Sequence, residues 1–143
     1  MDNDTICLLK ECDSGSKMAV SAIDEVLEKI KDGNLKELLT ESKGHHEELR
    51  EDIQNLLREN HAEEKEPNPM AKGMAWAKTN MMMGIDESDA TAAEIITDGC
   101  NMGVKTLCRY ENQYKAADKK ARDLCHRLIS IEETLAKDIR GYL

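Results

Sequence analysis

The stretch ECDSGSKMAVSAIDEVLEKIKDGNLKELLTESKGHHEEL, residues 11–49, contains two amphipathic segments and the turn between them. In the first segment Leu8, Cys12, Gly15, Ala19, Ala22 or Ile23, Val26 and Ile30 recur every three or four residues, which sets them on one face of a helix. Asp32-Gly33 reads as a helix stop, and Asn34 followed by Glu37 resembles a capping box that opens the next helix. The second segment places Leu35, Leu38, Ser42, His45, Leu49, Ile53 and Leu56 on its inward seam. So short a loop between two long helices predicts an antiparallel hairpin.

Outward from this hairpin the pattern breaks and then returns. The run from Asn60 to Asn68, containing Glu63, Glu64, Glu66 and Pro67, is polar and has no apolar stripe, so it reads as a linker. Pro69 suits a first helical turn and opens a short predicted helix carrying Met70, Met74, Ala77 and Met81 on one face, with Trp76 as an anchor. Asp86 or Ser88 caps a third long helix with Ile96, Gly99 or Cys100, Gly103, Leu107, Tyr110 and Tyr114 inward, ending near Ala117. Asp118 caps a fourth, with Ala121, Leu124, Leu128, Ile131, Leu135, Ile139 and Tyr142 inward. The chain thus reads as one domain, 1–143, of all-α class: an antiparallel four-helix bundle with hairpins at 5–60 and 87–143 and a crossover at 61–86.

The two hairpins repeat each other. A shift of 84 residues sets Gly15, Met18, Val20 and Lys31 on Gly99, Met102, Val104 and Lys115. A shift of 86 sets Leu38, Glu47, Leu49, Asp52 and Ile53 on Leu124, Glu133, Leu135, Asp138 and Ile139. Internal duplication follows, with each hairpin covering the other's apolar face. The crossover is far longer than the two to eight residues that join neighbours in a simple bundle, and a mixture of helical and extended residues spans a helix of ~42 Å. The second and third long helices are therefore expected to run parallel.

Composition narrows the functional classes. The chain is 34% charged, lacks Phe and holds one Trp and two Pro, which favours helices over strands. A net charge of -9 argues against general affinity for nucleic acid or anionic membranes. MDNDTICLLK carries two aspartates where a secretory leader is basic, and no apolar run approaches the ~20 residues that span a bilayer, so a cytoplasmic location is expected. Cys7, Cys12, Cys100, Cys108 and Cys125 form no CxxC pair and read chiefly as small buried hydrophobes. Lys115, Lys119, Lys120, Arg122 and Arg127 make the second hairpin's turn basic, a solvated patch rather than a nucleic-acid site.

The segments at 11–49 and 98–139, with the linker KEPNPMAKGMAW, resemble small bacterial ferritin-like proteins of unknown function. The resemblance implies a ferritin-like bundle with one long crossover. Di-iron members of that superfamily set a Glu on each of two helices and Glu-x-x-His on each of the other two. Here Glu-x-x-His is missing. Glu41 and Glu48 flank His45 on the second helix, and Glu25 and Glu28 border the apolar face of the first, while Arg109 stands at the repeat position of Glu25. Ile131 matches His45 and Glu132 matches His46 under the 86-residue shift, and His46 and His61 are expected to be exposed. One asymmetric metal site, His45 with Glu41, Glu48, Glu25 and Glu28, is the candidate for iron or another divalent ion. The alternative is a structural His45 bonded to Ser42 or to a facing acidic residue, with the flanking glutamates a solvated helix face and no cofactor. Thioether binding of Cu(I) by Met81, Met82 and Met83 with Met70 and Met74 is a further, weaker reading than packing. No phosphate loop, nucleophile elbow or thiol–imidazole dyad is present. The expectation is a non-catalytic bundle that acts as a homo-oligomer, such as a dimer, or with a protein partner. An iron-handling protein or metal-dependent oxidoreductase is the alternative.

Overall fold

In a computed structural model the protein is described over residues 3–63, 82–84 and 86–143, and among these every regular element is helical. The elements are α1 (Asn3–Leu27), α2 (Gly33–Glu59), α3 (Asp89–Gln113), α4 (Lys119–Asp138) and a terminal 3-10 turn (Ile139–Tyr142). No described helix is long and apolar enough to cross a membrane. The predicted crossover helix with Met70, Met74, Trp76, Ala77 and Met81 lies outside the described residues. Met83, at the end of the methionine run, is buried in the core.

The starts of α2, α3 and α4 each have a capping oxygen. Asp32, Ser88 and Asp118 accept from the amides of Leu35, Thr91 and Ala121, satisfying donors that a first turn leaves without intrahelical partners. Asp86 reinforces the α3 cap by accepting from the Ser88 amide and the Thr91 hydroxyl, bonds that hold its carboxyl below the usual range. The α1–α2 turn differs from the sequence expectation: Asp32 is the cap, Gly33 is the first helical residue, and no glycine there adopts positive φ. A carboxylate accepting the Leu35 amide at 2.9 Å does the work expected of Asn34. The third long helix stops at Gln113 rather than near Ala117. The α2 C-terminus closes on a left-handed His61, with the His61 and Ala62 amides donating to the Arg58 and Leu57 carbonyls.

Paired contacts fix the directions of the helices. Asp24 meets Lys43 at 2.6 Å and Gln54 donates to Asp13 at 3.3 Å, so α1 and α2 are antiparallel. Asp52–Arg127 and His46–Glu132 make α2 and α4 antiparallel. Asp89 receives the Lys31 and Asp32 amides at one end while Asp4 receives the Ala116 amide at the other, so α1 and α3 are antiparallel. Thr5 with Asp118, and Gly15 beside Leu128, place α1 parallel to α4 at a constant offset.

The two turns are held reciprocally. Thr5 Oγ1 accepts the Asp118 amide at 2.8 Å, and Asp89, its counterpart under the 84-residue shift, accepts the Asp32 amide at 2.9 Å. The first helix of each hairpin therefore secures the turn of the other. Apolar packing follows the same plan, with one cluster at each end. Leu8, Leu9, Cys12, Leu49, Ile53, Leu57, Ala121, Cys125 and Leu128 fill the end holding the α3–α4 connection. Ile23, Val26, Leu35, Leu39, Met83, Ala92, Ala93, Ile96 and Leu135 fill the other.

Candidate functional site

Polar residues separate the two apolar clusters. The buried positions of α2 are Leu35, Leu39, Ser42, His46, Leu49, Ile53, Leu56 and Leu57. Up to Leu56 their spacing alternates four and three, the heptad signature of a helix pressed against partners. In α4 the same alternation runs Ala121, Cys125, Leu128, Glu132, Leu135 and on to Ile139. Under the 86-residue shift the buried positions from Leu35 to Ile53 fall one by one on those from Ala121 to Ile139, so His46 and Glu132 correspond, whereas Leu56 and Leu57 fall on half-buried Tyr142 and exposed Leu143. His46 and Glu132 also bond to each other.

His46 is wholly buried and Glu132 is 6% exposed. The Nδ1–H of His46 donates to the Ser42 carbonyl at 2.8 Å, since a carbonyl only accepts, and Nε2 shares a proton with Glu132 Oε1 at 3.0 Å. Burial pushes the imidazolium pKa down, but the hydrogen bond and charge of Glu132, with the Ser42 carbonyl, outweigh it and leave His46 raised. The carboxylate also accepts from the Cys100 thiol, whose pKa is pushed far up, first by burial and then by the Glu132 charge. Gly103 leaves room beside Glu132: a Cβ there would lie 3.7 Å from the carboxyl carbon. Ser42 Oγ is a buried side-chain oxygen with no hydrogen-bond partner among the described residues.

This arrangement corrects the inward register drawn from sequence. His45 is exposed, and it is His46, expected at the surface, that lies in the core. Glu41, Glu48 and Glu28 are exposed and Glu25 is half-buried, and the five residues are not brought together as a site. Among the described residues no group of three or more His, Cys, Asp or Glu side chains is placed to hold a metal ion. The physical reason is the heptad. Counting back by sevens from Leu56 and Ile53 selects Leu49, Ser42 and Leu35, then His46 and Leu39, whereas the seam through Leu38 and His45 breaks the alternation at Leu49. Leu124 and Ile131 of α4 were placed inward by the same one-residue slip; both are half-buried at the margin of the core.

Comparison with known proteins finds no matching family model, no matching curated protein and no matching solved structure. The chemistry is therefore read from the residues. A thiol pushed this far up is no nucleophile near neutral pH. An imidazole with both nitrogens committed to acceptors inside the core is poorly placed for general base catalysis on a solute. A second buried polar group, Asp13, pairs with Lys17 at 2.9 Å and accepts from Gln54. The basic turn is tied to its own neighbourhood: Arg122 donates to the Lys115 and Ala117 carbonyls, Lys119 pairs with Asp123 and Arg127 with Asp52.

Proposed function

We propose that the chain is a ferritin-like four-helix bundle whose mid-level has lost its metal-ligand set, and that it works without catalysis by associating with itself or with a protein partner. The helix directions taken in chain order are up, down, down, up, the arrangement of two hairpins joined by one long crossover. The observation that carries the functional reading is the His46–Glu132–Cys100 network. It contains one carboxylate from α4, one imidazole from α2 and one thiol from α3, and each already satisfies another. A di-iron layer takes four carboxylates with two imidazoles; here the repeat counterpart of Cys100 on α1 is Ser16, whose hydroxyl donates to the Asp13 carbonyl. The donor set therefore supports a structural polar layer over an iron-handling alternative.

Among the described residues Met102 on α3 is a large apolar side chain 70% exposed, and it is the position at which association is tested. A homodimer is the simplest partner. Light scattering on a size-exclusion column tests it: the wild type is expected at twice the chain mass and Met102→Glu at the chain mass. A wild type that is monomeric at every concentration, and recovers no protein partner in cross-linking from its own host, would remove the association reading.

A further inference from the structure

Cys12 on α1 and Cys125 on α4 are both wholly buried in the core cluster beside the α3–α4 connection. The two helices run parallel there with an offset of 113 residues, fixed one side by Thr5 on Asp118 and on the other by Gly15 beside Leu128. Cys12 and Cys125 share that offset and lie in the same buried cluster, close enough for each to shift the other's pKa. Cys7 is half-buried, Cys108 is exposed, and Cys100 is engaged by Glu132.

We propose that Cys12 and Cys125 form a redox-addressable pair, which a hydroperoxide converts into a disulfide that staples α1 to α4 and so one hairpin to the other. The neighbouring Cys125 thiol and burial push the Cys12 pKa up, while Cys12 lowers that of Cys125 against burial and the Glu111 charge, with a smaller pull from Arg122 in the same direction. The Cys125 thiolate attacks the peroxide: an S–O bond forms, the O–O bond breaks, and the leaving oxygen takes a proton to depart as water or an alcohol. The Cys12 sulfur then displaces hydroxide from the Cys125 sulfenic acid, forming S–S and breaking S–O, and its proton converts the hydroxide to water. Two electrons pass from the sulfurs to the peroxide. Because both thiols are buried, entry of the peroxide waits on local opening, which makes the reaction slow and selective.

The test uses the full chain as Cys7→Ser/Cys108→Ser, so that only Cys12, Cys100 and Cys125 remain. Folded protein is treated with hydrogen peroxide, alkylated in denaturant, digested and sequenced by mass spectrometry. The expected result is loss of two of the three thiols, a dithiothreitol-reversible link between the peptides carrying Cys12 and Cys125, and a Tm raised by about 5 °C or more, as closure of a long loop requires. Recovery of both thiols free, a link formed only in urea, or a linked chain that melts below the reduced one would each overturn the proposal.

Discussion

Replacing Glu132 by Met while His46 is kept should be among the most damaging single changes in the core. The imidazole would remain wholly buried, with Nε2 deprived of the carboxylate it shares a proton with, and breaking one side of a buried pair costs about 3–5 kcal/mol. Against a total stability of roughly 5–15 kcal/mol for a domain, that removes a large share of the folded population's margin. Methionine is chosen because it keeps the volume in front of Gly103, so that cavity formation does not inflate the result. His46→Leu alone leaves the carboxylate with only the Cys100 thiol and should cost somewhat less. The double variant His46→Leu/Glu132→Met exchanges the pair for apolar groups and should lie near wild type or above it, since well-packed replacements of buried pairs are often neutral or stabilising. Urea unfolding followed by circular dichroism gives the cycle, with a coupling free energy expected to exceed about 2 kcal/mol. Single variants that each cost under about 1 kcal/mol and add within about 0.5 kcal/mol would refute the reasoning.

The pair also carries a pH signature. The folded-state pKa of His46 is raised above its unfolded value, so folding takes up protons between the two. Its contribution is fully present below about pH 6.5 and is lost as pH rises through the folded pKa. The stability of wild type relative to the double variant should therefore fall as pH rises above about 6.5, and a rise with pH there would contradict the assignment.

The reciprocal latches and the helical glycines give further expectations. Thr5→Val removes the buried acceptor of the Asp118 amide and should cost about 1–3 kcal/mol in urea unfolding, while Asp89→Ala, whose bonds to Lys31 and Asp32 are exposed, should cost about 1 kcal/mol. Gly15→Ala and Gly103→Ala place a Cβ at 3.8 and 3.7 Å from its nearest neighbours, ordinary contact distances, so each should raise stability by up to about 1 kcal/mol through helix propensity. A loss above about 1 kcal/mol at either position would show that the helices approach more closely than described.

The amphipathic periods, the Ser88 and Asp118 caps and the end of α2 before Asn60 were all legible in the chain, because each is a local property of a few adjacent residues. The correspondence of the second and fourth long helices was legible too, and the buried positions from Leu35 to Ile53 do fall on those from Ala121 to Ile139 under one shift. The choice between His45 and His46 was missed because both satisfy a three-or-four rule. Only the strict alternation sustained from Leu35 to Leu56 separates them. The pairing of repeat counterparts was a second signal, since Glu132 already stood at the position matching His46. Cys100 as a member of the network was not legible, because a thiol reads as a small hydrophobe until a carboxylate is seen beside it. Nor does the pattern reveal that Thr5 and Asp89 each secure the other hairpin's turn, since those bonds join residues 113 and 57 or 58 positions apart.

Metal content after anaerobic Fe(II) loading and desalting, measured by elemental analysis on wild type and His46→Ala, tests the central claim most directly. His45→Ala serves as the control, because that side chain is exposed and its loss should change stability by under about 0.5 kcal/mol. The expected result is no stoichiometric iron on any of the three proteins, since His46, Glu132 and Cys100 satisfy one another. Iron held tightly at one or two ions per wild-type chain, and lost with His46, would contradict the account and make the polar layer a metal centre.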